Sequence, residues 1–128
     1  MPYVDGFVLA VPRKKMAAYA SLAKKCGKIW KEFGALDYCE CVGDDLDVSM
    51  GVPFPKIVKP KKDETVVFSY IMYKSRAHRD RINAKVMADP RLLALCDPKK
   101  LPFDCKRITF GGFKVLVRAA AATRTKGK

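Results

Sequence analysis

Thr65-Val66-Val67-Phe68-Ser69-Tyr70-Ile71-Met72-Tyr73 (TVVFSYIMY) decides the fold of this chain. Nine residues rich in β-branched and aromatic side chains have the length and composition of a strand. Alternate residues of a strand point to opposite faces, giving one set of Val67, Ser69, Ile71, Tyr73 and another of Val66, Phe68, Tyr70, Met72. Both sets are apolar but for one serine, so both faces of the sheet need cover. A small domain covers one face with its own helices. The simplest cover for the other is a second copy of the chain.

The sequence on either side of this strand falls into a regular order. Tyr3–Val11 alternates Tyr3, Asp5, Phe7, Leu9, Val11 against Val4, Gly6, Val8, Ala10, and Pro12 ends it. Arg13–Phe33 carries Met16, Tyr19, Ala23, Cys26, Trp30 and Phe33 in steps of three and four, which is one helical stripe. Gly27 weakens that helix slightly, and Gly34 suits the left-handed residue that stops it. A strand is expected at Ala35–Val42, then a long connection, Asp44 to Glu64, with three prolines and a lysine-rich end, read as a loop. After Thr65–Tyr73, Ser75 is a natural N-cap for a helix from Arg76 to about Ala88. Asp89-Pro90 starts a short helix, Arg91–Cys96, with Asp as cap and Pro at the first helical position. A loop, Asp97–Cys105, leads to a last strand, Lys106–Val117, bent at Gly111-Gly112.

Strand, helix, strand, strand, helix, strand is the ferredoxin-like βαββαβ order. It implies an α+β fold with an antiparallel sheet and both crossover helices on one face. The face left bare in a monomer would carry four medium-to-large apolar side chains. At roughly 1.5–3 kcal/mol each, leaving them wet forgoes about 6–12 kcal/mol, comparable with the ~5–15 kcal/mol stability of a whole domain. A homodimer through the open sheet face, a dimeric α/β barrel, is therefore expected.

Composition sets the remaining bounds. The 128 residues are 49% hydrophobic and 30% charged, enough for one domain with a core. No apolar run approaches the ~20 residues of a membrane span, and Met1–Lys15 lacks the pattern of a signal peptide. The five cysteines, Cys26, Cys39, Cys41, Cys96 and Cys105, are odd in number and irregularly spaced. They read as buried free thiols of a cytoplasmic protein rather than a disulfide framework. The net charge of +13 is unevenly placed: residues 1–64 carry 11 Lys/Arg against 9 Asp/Glu, and residues 65–128 carry 15 against 4. One domain is expected over residues 1–117, with a basic, flexible tail over 118–128. A basic surface could attract nucleic acid or an anionic ligand; a solvated surface is the plainer reading.

The blocks YVDGFVLAVP (Tyr3–Pro12), KEFGAL (Lys31–Leu36) with Glu40-Cys41, VVFSYIMY (Val66–Tyr73), Arg79-Asp80 with Asn83, Asp89-Pro90-Arg91 and PFDCKRITFGGF (Pro102–Phe113) occur in that order. In this arrangement the chain resembles the YbaA-like family of uncharacterised bacterial proteins. The resemblance implies a dimeric α/β barrel of ferredoxin-like type. It implies no activity and brings no catalytic residue, because the family has none established. The basic tail and the lysine-rich stretch Lys56–Lys62 depart from the family pattern.

Candidate chemistry is sparse. Asp5 sits in an apolar strand, either solvent-facing, bonded to backbone amides, or a carboxylate buried in a cleft with a raised pKa. Glu40 shares a strand face with Leu36, Tyr38 and Val42, so it points where apolar groups point; an arginine partner or a base role would suit it. His78, Arg79 and Asn83 lie on or beside the face that carries Ile82 and Val86, so the inward surface of that helix is partly polar. Buried polar groups need partners, which a pocket holding a small polar or anionic ligand, or structural hydrogen bonds, would supply. Candidate pocket residues are thus Asp5, Tyr38, Glu40, His78, Arg79 and Asn83, with Asp5 or Glu40 as base, His78 as acid or base, and Arg79 as anion anchor. Cys39 and Cys41 share a strand face and could grip a soft ion, but two core thiols fit better. No metal cluster, phosphate loop or dinucleotide fingerprint is present, so no cofactor is expected.

An RNA-recognition motif shares the βαββαβ order and displays aromatics on its first and third strands. Phe7, Phe68 and Tyr70 are in roughly those strands, without the glycine and basic residues of that signature. Three readings stay open: a small-molecule binder or cofactor-free enzyme with a pocket between sheet and helices, a non-catalytic RNA or anion binder, and a structural or interaction protein.

Overall fold

The computed structural model describes residues 1–121. Four strands, β1 (Tyr3–Pro12), β2 (Asp37–Val42), β3 (Glu64–Tyr73) and β4 (Thr109–Lys114), form one antiparallel sheet in the order β2-β3-β1-β4. The helices are α1 (Met16–Glu32), α2 (Phe54–Val58), α3 (Arg76–Met87) and α4 (Pro90–Leu95). This is the ferredoxin-like α+β arrangement.

Register assigns the faces. Tyr38 lies opposite Ile71, Glu40 opposite Ser69, Asp5 opposite Ile71, and Phe7 opposite both Ser69 and Phe110. These residues share the face under α1, α3 and α4, where Leu9, Val11, Val67, Ile71 and Tyr73 are buried with Tyr19, Cys26, Ile29, Ile82, Val86 and Leu92. Of the two sets in β3, the one containing Ser69 therefore faces the helices. Phe7 is on this inner face, so it does not join Phe68 and Tyr70 in a common aromatic display, as an RNA-reading sheet would need.

Local signals act as their chemistry dictates. Gly34 takes φ +113 just past α1, the positive-φ stop that glycine adopts without strain. Ser75 Oγ accepts from the His78 amide at 3.1 Å to start α3. Asp89 Oδ1 accepts from the Arg91 amide at 2.8 Å, with Pro90 in the first turn of α4.

Several expectations are corrected. The long connection is not all loop: Phe54–Val58 forms α2. Pro55 is tolerated there because first-turn amides need no helical partner. This segment covers one end of the open sheet face, where Val66 and Ala10 are buried, so Val66 is not left wet. The helix expected from Arg13 begins with a 3-10 turn, Arg13–Lys15. The last strand is shorter than Lys106–Val117, and a 3-10 turn, Cys105–Arg107, precedes it. Its pairing with β1 runs through Gly111-Gly112 without a break, from Tyr3↔Lys114 to Val8↔Thr109. Gly112 instead leaves the space that the Tyr3 ring occupies. All five cysteines are free, but Cys26 alone among them is buried; Cys39 is half-buried and Cys41 exposed, on the open face with sulfurs 3.8 Å apart. Of the expected tail, residues 122–128 lie outside the described residues.

Candidate functional site

A cavity of about 430 Å³ lies between the inner face of the sheet and the helices. Its floor comes from β1, β2 and β3, its roof from α1, α3 and α4, and one side from Phe103, Ile108 and Phe110. Phe7 of the floor stacks on Phe110 of that side with ring centroids 5.8 Å apart. Leu93 is 63% exposed and Phe110 stands at the rim, so the cavity communicates with solvent there.

Two carboxylates reach into this apolar space, each held differently. Asp5 is buried and takes Arg79 Nη1 on Oδ1 at 2.7 Å. Arg79 comes from α3, lies over the Tyr3 ring at 4.9 Å, and also places Nε 2.7 Å from Asp80. Burial pushes the Asp5 carboxyl above its ordinary value, while Arg79, Asn83 and Tyr73 pull the other way. Beside this pair, Asn83 Oδ1 accepts from Trp30 Nε1 and from the Tyr73 hydroxyl, both at 3.1 Å.

Glu40 forms the second polar centre. Its Oε1 accepts from the Tyr19 hydroxyl at 2.7 Å and its Oε2 from the Tyr38 hydroxyl at 3.0 Å. Burial, with Glu40 adding to it, pushes both phenols above their ordinary pKa, so they stay protonated and donate. No arginine pairs with Glu40 among the described residues; two tyrosines do that work. The arrangement depends on a close approach of α1 to β2: a Cβ at Gly27 would come within 2.8 Å of the Tyr38 ring.

Five of the six expected residues, Asp5, Tyr38, Glu40, Arg79 and Asn83, therefore line one cavity. His78 does not. Its Nδ1 accepts from the Lys74 amide at 3.0 Å, closing the start of α3, and burial with nearby Lys74 and Arg81 lowers its pKa. Tyr19, Trp30 and Tyr73 were legible only as core residues, since nothing in a helical stripe or a strand face marks which aromatic hydroxyl meets a carboxylate. Ser69 carried a signal, as the one serine in the otherwise apolar alternation Val66–Tyr73. It is 5% exposed, lines the cavity opposite Glu40, and its hydroxyl has no hydrogen-bond partner among the described residues.

A wider groove of about 830 Å³ runs under the connection before β3. Its charges are of both signs: Arg13, Asp44, Asp47 and Lys56 are exposed, and Glu64, which is buried there, is already paired with Arg107 at 2.9 Å. No group of three or more His, Cys, Asp or Glu among the described residues is arranged to hold a metal ion. No described helix is long and apolar enough to cross a membrane.

Comparison with known proteins adds family and fold. A family model described as a protein of unknown function (DUF1428) matches residues 2–105. The uncharacterised protein YbaA of Escherichia coli strain K12 is 44% identical over 117 residues, covering 91% of this chain and 98% of its own. Among solved structures, a variant of SnoaB, a cofactor-independent oxygenase from Streptomyces nogalater, superposes with a TM-score of 0.55 at 11% identity, over 91% of this chain and 95% of that one. A dimeric ferredoxin-like protein from an uncultured marine organism gives 0.50 at 17% identity, over 94% and 100%. At such identities the likeness is one of fold.

Proposed function

This chain belongs to the DUF1428 family of proteins of unknown function, and from its interior we propose that it is a small-molecule-binding protein with the build of a cofactor-free enzyme. The observation that carries this reading is the cavity of about 430 Å³, apolar in most of its lining, with a few fixed polar groups around Glu40. That size and that mixture are usual for ligand sites. SnoaB, of the same fold, is a cofactor-independent oxygenase; this supports the reading by analogy of fold alone. The five free thiols fit the reducing cytoplasm expected for the chain.

The proposed working unit is a homodimer through the open sheet face. Phe68 is 44% and Phe113 61% exposed on that face, with Val4, Val8 and Met72 half-buried around them. A contiguous apolar patch of this kind marks an interaction surface, and a neighbour of the same fold is dimeric.

A thermal-shift screen against apolar and aromatic compounds tests the cavity, run in parallel on wild type and Leu93→Trp. Leu93 lines the entrance and is exposed, so tryptophan there narrows the cavity without disturbing the core. Ligands should raise the wild-type Tm by ~2–4 °C at saturating concentration and lose that effect on the variant. If no compound distinguishes the two proteins, the cavity is not a binding site.

A further inference from the structure

We infer that the cavity takes an organic amine, with its ammonium group on Glu40 and Ser69 and its apolar body against Phe7 and Phe110. The inference rests on the cavity reading above and adds the chemical class of the ligand.

Charge comes first. The charged residues lining the cavity are Asp5, Glu40 and Arg79. Two carboxylates against one guanidinium leave a formal charge of −1. The guanidinium is already committed, 2.7 Å from Asp5 and 2.7 Å from Asp80. A ligand anion would meet Glu40 with no free cation to offset it. A ligand cation would instead neutralise the cavity.

Hydrogen-bonding capacity points the same way. Each oxygen of Glu40 accepts one phenol, from Tyr19 and from Tyr38. A carboxylate oxygen has two acceptor sites, so each retains one. Ser69 lies directly across the ladder from Glu40, is 5% exposed, and its hydroxyl is unpartnered among the described residues. The unmet groups at this spot are thus the remaining acceptor sites of Glu40 and the Ser69 hydroxyl, which can accept as well as donate. An ammonium group has up to three donors, which match those acceptor sites and leave the Ser69 O–H to turn toward Glu40. A neutral alcohol brings one donor and leaves the negative charge unpaired.

The rings supply the remainder. Glu40, Ser69, Phe7 and Phe110 stand side by side across the four strands. The apolar part of a ligand whose head is at Glu40 therefore runs over the stacked Phe7 and Phe110 rings. Trp30 and Tyr38, with ring centroids 6.0 Å apart, line the same cavity, and aromatic rings attract cations.

Calorimetric titration of wild type with three compounds of like shape tests this: 2-phenylethylamine, 2-phenylethanol and 3-phenylpropionate. The amine should bind at least ~10-fold more tightly than the alcohol, with the acid weakest. Glu40→Gln, checked for folding by circular dichroism, should bring amine and alcohol within about 3-fold of each other. The wild-type comparison stands whether or not that variant folds. An alcohol or acid that binds as tightly as the amine overturns the inference, as does an amine preference that survives Glu40→Gln, or no binding by any of the three. If the three fail while the screen finds ligands that Leu93→Trp loses, the amine assignment alone falls. If both fail, the cavity reading falls with it.

Discussion

Arg79 Nη1 stands 2.7 Å from Asp5 Oδ1, joining α3 to the first half of β1 across the layer between helices and sheet. Both side chains are largely withdrawn from water, so each depends on the other. Removing one partner of such a pair strands the other charge, typically at a cost of ~3–5 kcal/mol. Arg79→Leu should lower the unfolding free energy read from urea titration by that order, and Asp5→Leu/Arg79→Leu together should recover more than half of the loss. A double variant as unstable as the single one would show that the pair is not the unit.

The same pair gives a pH signature of definite sign. Burial raises the Asp5 carboxyl pKa, so the folded state holds this proton to a higher pH than the unfolded chain does. Stability from this group is then present below the unfolded value and lost as pH rises through the folded one. In Arg79→Leu the opposing pull of the guanidinium is gone and the effect grows. The stability gap between Arg79→Leu and wild type should shrink as pH falls from 7 toward 4. Urea midpoints across that range check it, and a gap that widens in acid contradicts it.

Glu64 behaves oppositely. It is buried, takes Arg107 Nη1 and Nη2 at 2.9 Å each, and accepts the Lys61 amide at 2.7 Å. Chiefly through the Arg107 hydrogen bonds, its pKa is held down to about 2, against 4.5 for an ordinary glutamate. The folded state therefore binds this proton less readily. Its stabilisation is complete above pH 4.5 and is lost as pH falls through about 2. Glu64→Gln should cost roughly 1–3 kcal/mol at pH 7 and flatten the acid limb of the stability curve between pH 4.5 and 2. An unchanged acid limb in denaturant titrations counts against this bond.

Gly27 offers a test in which two effects compete. Alanine in a helix interior gains ~1 kcal/mol over glycine. Here its Cβ would come 2.8 Å from the Tyr38 ring, which is anchored by Glu40 and cannot swing aside cheaply. Crowding of this kind typically costs ~1–3 kcal/mol, so Gly27→Ala should destabilise wild type. In a Tyr38→Ala background the obstacle is absent, and the same substitution should stabilise by up to ~1 kcal/mol. Thermal unfolding of the four proteins reads the sign reversal directly.

The fold was legible because its signals are local. The alternation in TVVFSYIMY, the stripe from Met16 to Trp30 and the caps at Ser75 and Asp89 each depend on neighbours in sequence. The site was legible in part for the same reason: Asp5, Glu40, Arg79 and Asn83 are polar residues at apolar positions. Their partners were not legible. Glu40 meets Tyr19 across 21 residues and Arg107 meets Glu64 across 43, distances over which no spacing rule operates. Gly27 looked like a weak point in a helix, and only the proximity of Tyr38 gives it a purpose. His78 is the one histidine of the chain and lies beside the apolar face of its helix, yet its ring is used by the Lys74 amide. FPKIV, with proline in its first turn, carries too little helical signal to stand out from the loop around it.

The proposed dimer makes the last prediction. Phe68 and Phe113 are the most exposed aromatics of the open face. A charge placed there would have to be buried without a partner on association, at a cost of several kcal/mol. The isolated chain would tolerate it, because both positions face water when the sheet is uncovered. Light scattering on wild type should give twice the 14.3 kDa chain mass, and Phe68→Asp should give one chain mass with its circular dichroism retained. The inner-face cavity should still bind its ligands in that variant, since none of its lining comes from Phe68 or Phe113. A wild type that stays monomeric at micromolar concentration sinks the dimer. Loss of ligand binding in a folded, monomeric Phe68→Asp protein would show instead that the partner chain completes the site.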